Sequence, residues 1–310
     1  MLTSCVTRRS VADARADRCQ DGRMTSADAS TTDIALTIPG TWNARDAGSL
    51  TGLTRGVLVR SAALMNLTDD GRAELARLGI SDVVDLRSPH EVAANGPDAV
   101  DGPGTTRPVA VHRLPISPGS AVPESGEIDP DVMAQLFARL QEPGFAENLL
   151  TSVYVEMVTA PAWVAQLGRA LEVIARADGA TLVHCSAGKD RTGVLCALSA
   201  HLAGADVEAI DADFLYSNHA LADQVTIVPA AVPQEALEVI KPLLGVHLVS
   251  LQAMRSALDS TYGGLHGFLD AAGSAPRPEP PARSGDSARS ARHTGVIPGP
   301  IALPHRHRLD

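Results

Sequence analysis

What this chain lacks narrows its identity first. Among its 310 residues no apolar run approaches the roughly 18 needed to cross a bilayer as a helix, so no integral membrane segment is expected. No Gly-X-Y or heptad period is sustained, which excludes a fibrous protein. Lysine is nearly missing: Lys189 and Lys241 stand alone, and arginine carries the rest of the positive charge. Lys plus Arg total 26 against 36 acidic residues, a formal net charge of −10. A nucleic-acid or membrane-surface binder would be basic, so no nucleic-acid partner is expected. Cysteine is scarce too. Cys5, Cys19, Cys185 and Cys196 are too few and too dispersed for a disulfide framework, and no C-x-x-C pair points to zinc. The N-terminus has arginines but no apolar core of a secretory signal. A reducing cytoplasm is the expected location, with leaderless export left open.

Residues 1–33 hold almost no large apolar side chain, and their five Arg and five Asp cancel. Such a segment cannot bury enough surface to offset chain entropy and is expected to be disordered. Residues 274–310 contain seven of the 21 prolines and six Arg against three acids, and read the same way. The tail's net charge is +3 and the leader's is zero, so the total of −10 leaves −13 on the single domain expected over 34–273.

Within that domain, strand-like and helix-like patterns alternate. Ile34, Leu36 and Ile38 alternate like an edge strand. Strands are expected around 57–59, 82–86, 109–114 and 181–184. Helices are expected from Thr68 as a cap to Leu78, from Ser88-Pro89-His90-Glu91 as a capping box with Pro at the first helical position, and over 130–140, 145–159, 161–177 and 192–203. This order predicts an α/β fold with a mainly parallel central sheet flanked by helices. Residues 206–260 are helical in pattern, broken near Val225–Pro233. The part over 206–245 carries Leu215, Leu221, Val225, Ile227 and Val228, with Pro229 and Pro233 as a hinge, and reads as a helical lid.

One stretch carries chemistry: His184-Cys185-Ser186-Ala187-Gly188-Lys189-Asp190-Arg191-Thr192-Gly193, between a strand and a helix. Peptide N–H groups of such a loop can converge, and the helix N-terminus adds positive potential, making a cradle for a tetrahedral dianion. Ser186, Ala187, Gly188, Lys189 and Thr192 are the expected substrate-binding positions. Cys185 sits at the base of the cradle, where the same field favours the thiolate. The planar fork of Arg191 can chelate two phosphate oxygens, as lysine cannot. Thr192 can place a hydroxyl near the sulfur. These are the parts for attack on phosphorus and hydrolysis of a cysteinyl-phosphate. Cys196, on an apolar helix, is expected to be core. A Walker reading of Gly188-Lys189 fails, because Val183 occupies the first glycine position and Asp190 replaces Ser/Thr.

The loop resembles the signature of cysteine-dependent tyrosine and dual-specificity phosphatases. With Asn43-Ala44-Arg45-Asp46-Ala47-Gly48, Arg60-Ser61-Ala62, Val84-Asp85-Leu86-Arg87-Ser88 with Glu91, and Tyr262-Gly263-Gly264, the chain resembles the atypical bacterial tyrosine/serine phosphatases over roughly 34–272. Gly48-Ser49 stands where that family leads one to expect Gly-Gly. The resemblance implies a cysteine phosphatase-type fold with lid helices after the loop. It implies action on phosphotyrosine, and on phosphoserine/threonine or phosphoinositides. The expected partner is thus a phosphorylated protein or a phosphoinositide, with no metal or organic cofactor.

The leaving oxygen needs a proton, and two carboxylates compete to give it. The resemblance favours Asp190 inside the loop. Asp85, at the C-terminal end of a parallel strand, is the other, unless it is bound to Arg87 or Arg191 or caps the next helix. Asp211 and Asp213 come next. Arg45 and Asp46 read as a polar pair in a loop, supporting the phosphate loop or the N-terminal segment. Lys189 is expected to bind a second phosphate or an inositol ring rather than to be a solvated rim lysine. His184 is expected to donate to backbone near Cys185. Two other functions compete: a rhodanese-like sulfurtransferase, which the Arg191-Thr192-Gly193 continuation argues against, and a non-catalytic phosphate-binding module, which the retained nucleophile argues against. An arsenate reductase would need resolving cysteines, and none is well placed.

Overall fold

A computed structural model describes residues 34–117, 130–222 and 240–274. The expected leader, the tail beyond 274 and the proline hinge at 229 and 233 lie outside the described residues. The chain builds a five-stranded sheet in the order β1-β2-β5-β3-β4. The strands are β1 (Arg45–Asp46), β2 (Leu58–Ser61), β3 (Ile80–Asp85), β4 (Ala110–Arg113) and β5 (Ala180–His184). β2, β5, β3 and β4 run parallel, and β1 pairs antiparallel with β2 at the edge. The fold is therefore the mainly parallel α/β architecture that the alternating pattern implies.

The pleat sorts side chains onto two cores. Leu58, Val84 and Val183 face one apolar cluster, while their chain neighbours Val59, Val83 and Leu182 face the other. β5 is buried at every position; Ala180, Leu182 and Val183 supply its apolar surface, while Thr181 and His184 are buried polar residues. The larger core is covered by α5 (Phe145–Thr159), α6 (Pro161–Arg176), α7 (Asp190–Leu202), α10 (Leu248–Tyr262) and α11 (Leu265–Ser274). The smaller core holds Ile38, Leu64, Leu67 and Leu75, the last on α2 (Asp69–Arg77). Two short helices, α1 (Gly48–Thr51) and α3 (Pro89–Asn95), α4 (Pro130–Leu140) and α8 (Val207–Ala222) complete the set, with α9 described over residues 240–244.

Local signals set the helix ends. The Thr68 side chain accepts from the Gly71 N–H at the start of α2, and Gly79, at φ 70°, ends that turn. Ser88 and Glu91 form a complete capping box on α3, with Pro89 inside it. One expected element is different. Residues 34–38 make only a bridge, Ala35 to Arg45, not a strand. The β partner of β2 is instead Arg45–Asp46, inside what the polar sequence suggested was a loop. Two buried polar side chains overrode the apolar alternation there.

Strand register positions the loop that leaves β5. His184 lies opposite Ser61 on one side and Asp85 on the other, so three parallel strands end at one level. Cys185 is the first residue beyond the central strand, where α/β sheets open a crevice.

Candidate active site

Between β5 and α7 the chain turns through residues 185–189. Gly188 takes φ +66°, and a Cβ there would stand 2.2 Å from the Ser61 carbonyl oxygen, so only glycine fits. Every carbonyl of this turn is directed to a protein partner. Cys185 O meets His184 Nδ1 at 3.1 Å. Ser186 O accepts from the Ala63 N–H at 3.1 Å. Asn43 Nδ2 donates to the oxygens of Ala187 and Gly188 at 3.1 and 3.0 Å. Arg60 Nη2 donates to Gly188 O at 2.9 Å, and Lys189 O accepts from Gly193 N at 2.8 Å. A peptide unit that aims its C=O one way aims its N–H the other. Among the described residues no group accepts from the N–H groups of residues 186–191. They form an anion cradle at the N-terminus of α7, above the buried Cys185.

The cradle rests on buried charge. Asp213 of α8 accepts from Arg45 Nε at 2.7 Å and from Arg60 Nη1 at 2.5 Å. Both guanidinium groups are fully buried. Burial works against the Asp213 charge, but the two arginines hold its carboxyl below the ordinary value. Burial, together with Arg60, lowers Arg45 to about 10 in spite of Asp213. Two cations and one anion leave a net positive charge beneath the loop, which favours an anion above it. Arg45 and Asp46 do not pair with each other. Asp46 instead accepts from the N–H groups of Gly48 and Gly56 at 2.8 and 2.5 Å.

Arg191 is held by Glu91. Its Nη1 and Nη2 donate to the two carboxylate oxygens at 2.6 and 2.7 Å, and Nη1 also reaches the carbonyls of Ile116 and Leu86. Among the described residues this leaves Nε–H and the second Nη2 hydrogen, adjacent on one edge of the guanidinium, as a two-pronged donor. Glu91 also accepts from Ser186 Oγ at 2.5 Å and from the Ser88 N–H. The Arg191 pair outweighs burial and holds Glu91 down at about 2. Against burial, Glu91 raises Arg191 above its ordinary value.

The carboxylates separate clearly. Asp190 begins α7, and its Oδ1 accepts from the buried Tyr154 hydroxyl at 2.8 Å. Asp85 is 1% exposed and lies in a closed cluster: Arg87 donates to both of its oxygens and to Asp98, whose other oxygen lies 2.9 Å from His184 Nε2. Asp85, the alternative acid in the sequence, is thus committed to Arg87. Asp85, Asp98 and His184 converge closely enough to suggest a metal, but the cation between the two carboxylates is the Arg87 guanidinium. Asp211 pairs with Arg255 and Asp213 with the buried arginines. Lys189 departs from both readings of it. Its ammonium donates to the carbonyls of Leu243, Leu244 and Gly245 at 2.9, 2.7 and 3.3 Å, so it caps α9 and is neither solvated nor free to take a second phosphate. The buried Thr192 hydroxyl has no partner among the described residues. Cys196 is core, its thiol pushed up to about 11 by burial.

The site also enlists residues to which the sequence assigned no role: Asn43, Arg60 and Glu91, which stand only within the motifs that carry the resemblance, and Tyr154 and Asp98, which stand in none. Glu91 carried a signal, as the capping glutamate that comes after β3, but capping alone does not reveal its free oxygen. Tyr154 carried none, since it lies 31 residues before Cys185 in sequence.

A family model described as the tyrosine phosphatase family matches residues 36–277. The chain is 36% identical over 266 residues to the triple specificity protein phosphatase PtpB of Mycobacterium tuberculosis, covering 76% of this chain and 93% of that protein. It is 29% identical over 232 residues to a tyrosine-protein phosphatase of Nostoc commune, covering 72% and 71% of the two chains.

Proposed function

The chain belongs to the tyrosine phosphatase family, and on that premise we propose that it hydrolyses phosphotyrosine esters through a cysteinyl-phosphate at Cys185, without a metal. One observation carries the mechanism: the loop carbonyls of residues 185–189 all turn to protein partners, leaving the N–H groups above Cys185 for the phosphoryl oxygens. The Cys185 sulfur attacks phosphorus in line as the ester P–O bond breaks. Arg191, anchored by Glu91, offers Nε–H and Nη2–H to two equatorial oxygens, whose charge spreads in the transition state. Asp190 gives its proton to the departing oxygen, then takes one from the water that cleaves the S–P bond. Thr192, with its unpartnered hydroxyl, stabilises the sulfur as it leaves. Ser186 and His184 fix the loop rather than react.

The relatives' names support the substrate class. The Nostoc protein is named a tyrosine-protein phosphatase and the mycobacterial one a triple specificity protein phosphatase, so phosphoserine and phosphothreonine belong in the substrate panel, with phosphoinositides as the lipid arm. Family membership leaves the sulfurtransferase and the non-catalytic module without support. No helix among the described residues is long and apolar enough to cross a membrane. The free Cys185 and Cys196 suit a reducing compartment, and we place the protein in the cytoplasm on that ground. Of the lid expected over 206–245 we assign only α9 to that role, because its last carbonyls are bonded to Lys189 of the loop, whereas α8 is bonded beneath the loop through Asp213 and belongs to its foundation.

Cys185→Ser should retain the fold and bind vanadate or phosphate while losing turnover, since a serine hydroxyl is not ionised here. Wild-type turnover should persist in chelator. Full activity in Cys185→Ser, or dependence on added metal, would end this reading.

A further inference from the structure

A general acid must present one particular oxygen, protonated, to the leaving group, and Asp190 lies at a place where its carboxyl could turn. The buried surroundings of α5 settle which oxygen is which. Tyr154 is 1% exposed and its ring meets Phe214 edge-on, with centroids 5.9 Å apart. Its hydroxyl donates to Asp190 Oδ1 at 2.8 Å. Burial first, then the nearby Asp190 charge, keeps this phenol protonated well above its ordinary range. In the structure the phenol donates and Oδ1 accepts, and this bond is kept intact only while Oδ1 carries no proton of its own.

The other oxygen has a different neighbour. Asp190 Oδ2 lies 3.5 Å from Lys189 Nζ, but the three hydrogens of that ammonium are directed to the carbonyls of Leu243, Leu244 and Gly245. Oδ2 thus has a positive charge beside it without a hydrogen bond from it. A proton on Oδ2 leaves Oδ1 as the carbonyl-type oxygen, the better acceptor for Tyr154, whereas a proton on Oδ1 would weaken or reverse that bond.

We propose that Tyr154 is a positioning residue for proton transfer: it reserves Oδ1 of Asp190 as an acceptor, places the transferable proton on Oδ2, and locks the carboxyl rotamer toward the leaving oxygen. This rests on the assignment of Asp190 as the acid. In the forward step the Oδ2–H proton passes to the leaving oxygen as its bond to phosphorus breaks, and the carboxylate left behind keeps the Tyr154 hydrogen bond. The same bond then holds Oδ2 ready to receive a proton from water.

The test is Tyr154→Phe, which keeps the ring against Phe214 and removes only the hydroxyl. The readout is the ratio of kcat for an aryl phosphate with a good leaving group to kcat for a phosphotyrosine peptide. Loss of a general acid costs about 100-fold or more on the demanding substrate. Asp190→Asn should raise the ratio by that order, and Tyr154→Phe by about tenfold, with KM for both substrates little changed. In the double variant the ratio should equal that of Asp190→Asn alone, because a residue acting through Asp190 has nothing left to position. A purely structural Tyr154 would slow both substrates equally and add its loss to that of Asp190→Asn, and this result would overturn the inference. Vanadate affinity and the thermal midpoint of each variant show whether the fold is kept. If Tyr154→Phe does not fold, the same ratio measured in Tyr154→His, which retains a ring with a donor nitrogen, must lie between those of the wild type and Asp190→Asn or the inference fails. An Asp190→Asn enzyme with an unchanged ratio would overturn the acid assignment itself, which the Tyr154 result alone cannot do.

Discussion

Glu91→Gln isolates the electrostatics of the site with almost no change in volume. In the native protein this carboxylate binds both terminal nitrogens of Arg191 and the Ser186 hydroxyl, and closes the capping box of α3. Burial alone would raise its pKa, but the hydrogen bonds and charge of Arg191 prevail and bring it from 4.5 to about 2. At 1.36 kcal/mol per unit, that shift is worth about 3 kcal/mol of folding stability at neutral pH. A carboxyl depressed in the folded state stabilises fully above 4.5, and the contribution is lost as pH falls toward 2. At pH 3, linkage leaves about 1 kcal/mol of it. The amide of the variant does not titrate, so urea melts of the two proteins should differ by about 3 kcal/mol at pH 7 and should converge by about 2 kcal/mol at pH 3. Turnover should fall as well, because the donor edge of Arg191 loses its anchor. A stability gap that is the same at both pH values, or below about 0.5 kcal/mol at pH 7, would refute the assignment of the Glu91–Arg191 pair as the source of the effect.

Other perturbations probe the cradle from below. Gly188→Ala forces a Cβ into the Ser61 carbonyl at a positive φ, so vanadate binding and turnover should both fall by at least about 100-fold, read by titration and initial rates. Asp213→Asn leaves Arg45 and Arg60 buried without a carboxylate, and a denaturant melt should show a loss of about 3–5 kcal/mol. Arg191→Lys keeps the charge but not the two-pronged edge, so kcat should drop by orders of magnitude with a smaller change in KM; a near-native enzyme would make Arg191 structural.

How much of the molecule is legible in its sequence depends on whether the cause is local. β5, the loop and α7 are consecutive in the chain, so their residues announce both the turn and its chemistry. The caps of α2 and α3 are likewise contained within four residues, and the structure reproduces both. The illegible part is carried by pairs far apart in sequence. Nothing in the sequence links Arg45 to Asp213 or Glu91 to Arg191, so the antiparallel β1 and the anchor of Arg191 were invisible. Lys189 shows the same limit: its scarcity suggested a ligand contact, whereas its three acceptors lie more than 50 residues away on the chain. Asp85 read correctly as a strand-end carboxylate, and Arg87, two residues on, was named as a partner for it, but Asp98 and His184, which close the cluster, lie far off in the chain.

The outward ties of the phosphate loop also bear on when the enzyme can first act during its synthesis. Asn43 and Gly188 are separated by 145 residues, and Arg45 and Asp213 by 168. Closing such long loops is entropically costly and comes late in folding. On the ribosome, Cys185 and Arg191 are made before α8 exists, yet Arg45 and Arg60 beneath the loop lack their shared carboxylate until Asp213 has left the exit tunnel. A nascent or truncated chain that ends before that residue carries the whole reactive motif without the foundation that shapes it. Such a chain should therefore be inactive until Asp213 has joined the folded domain.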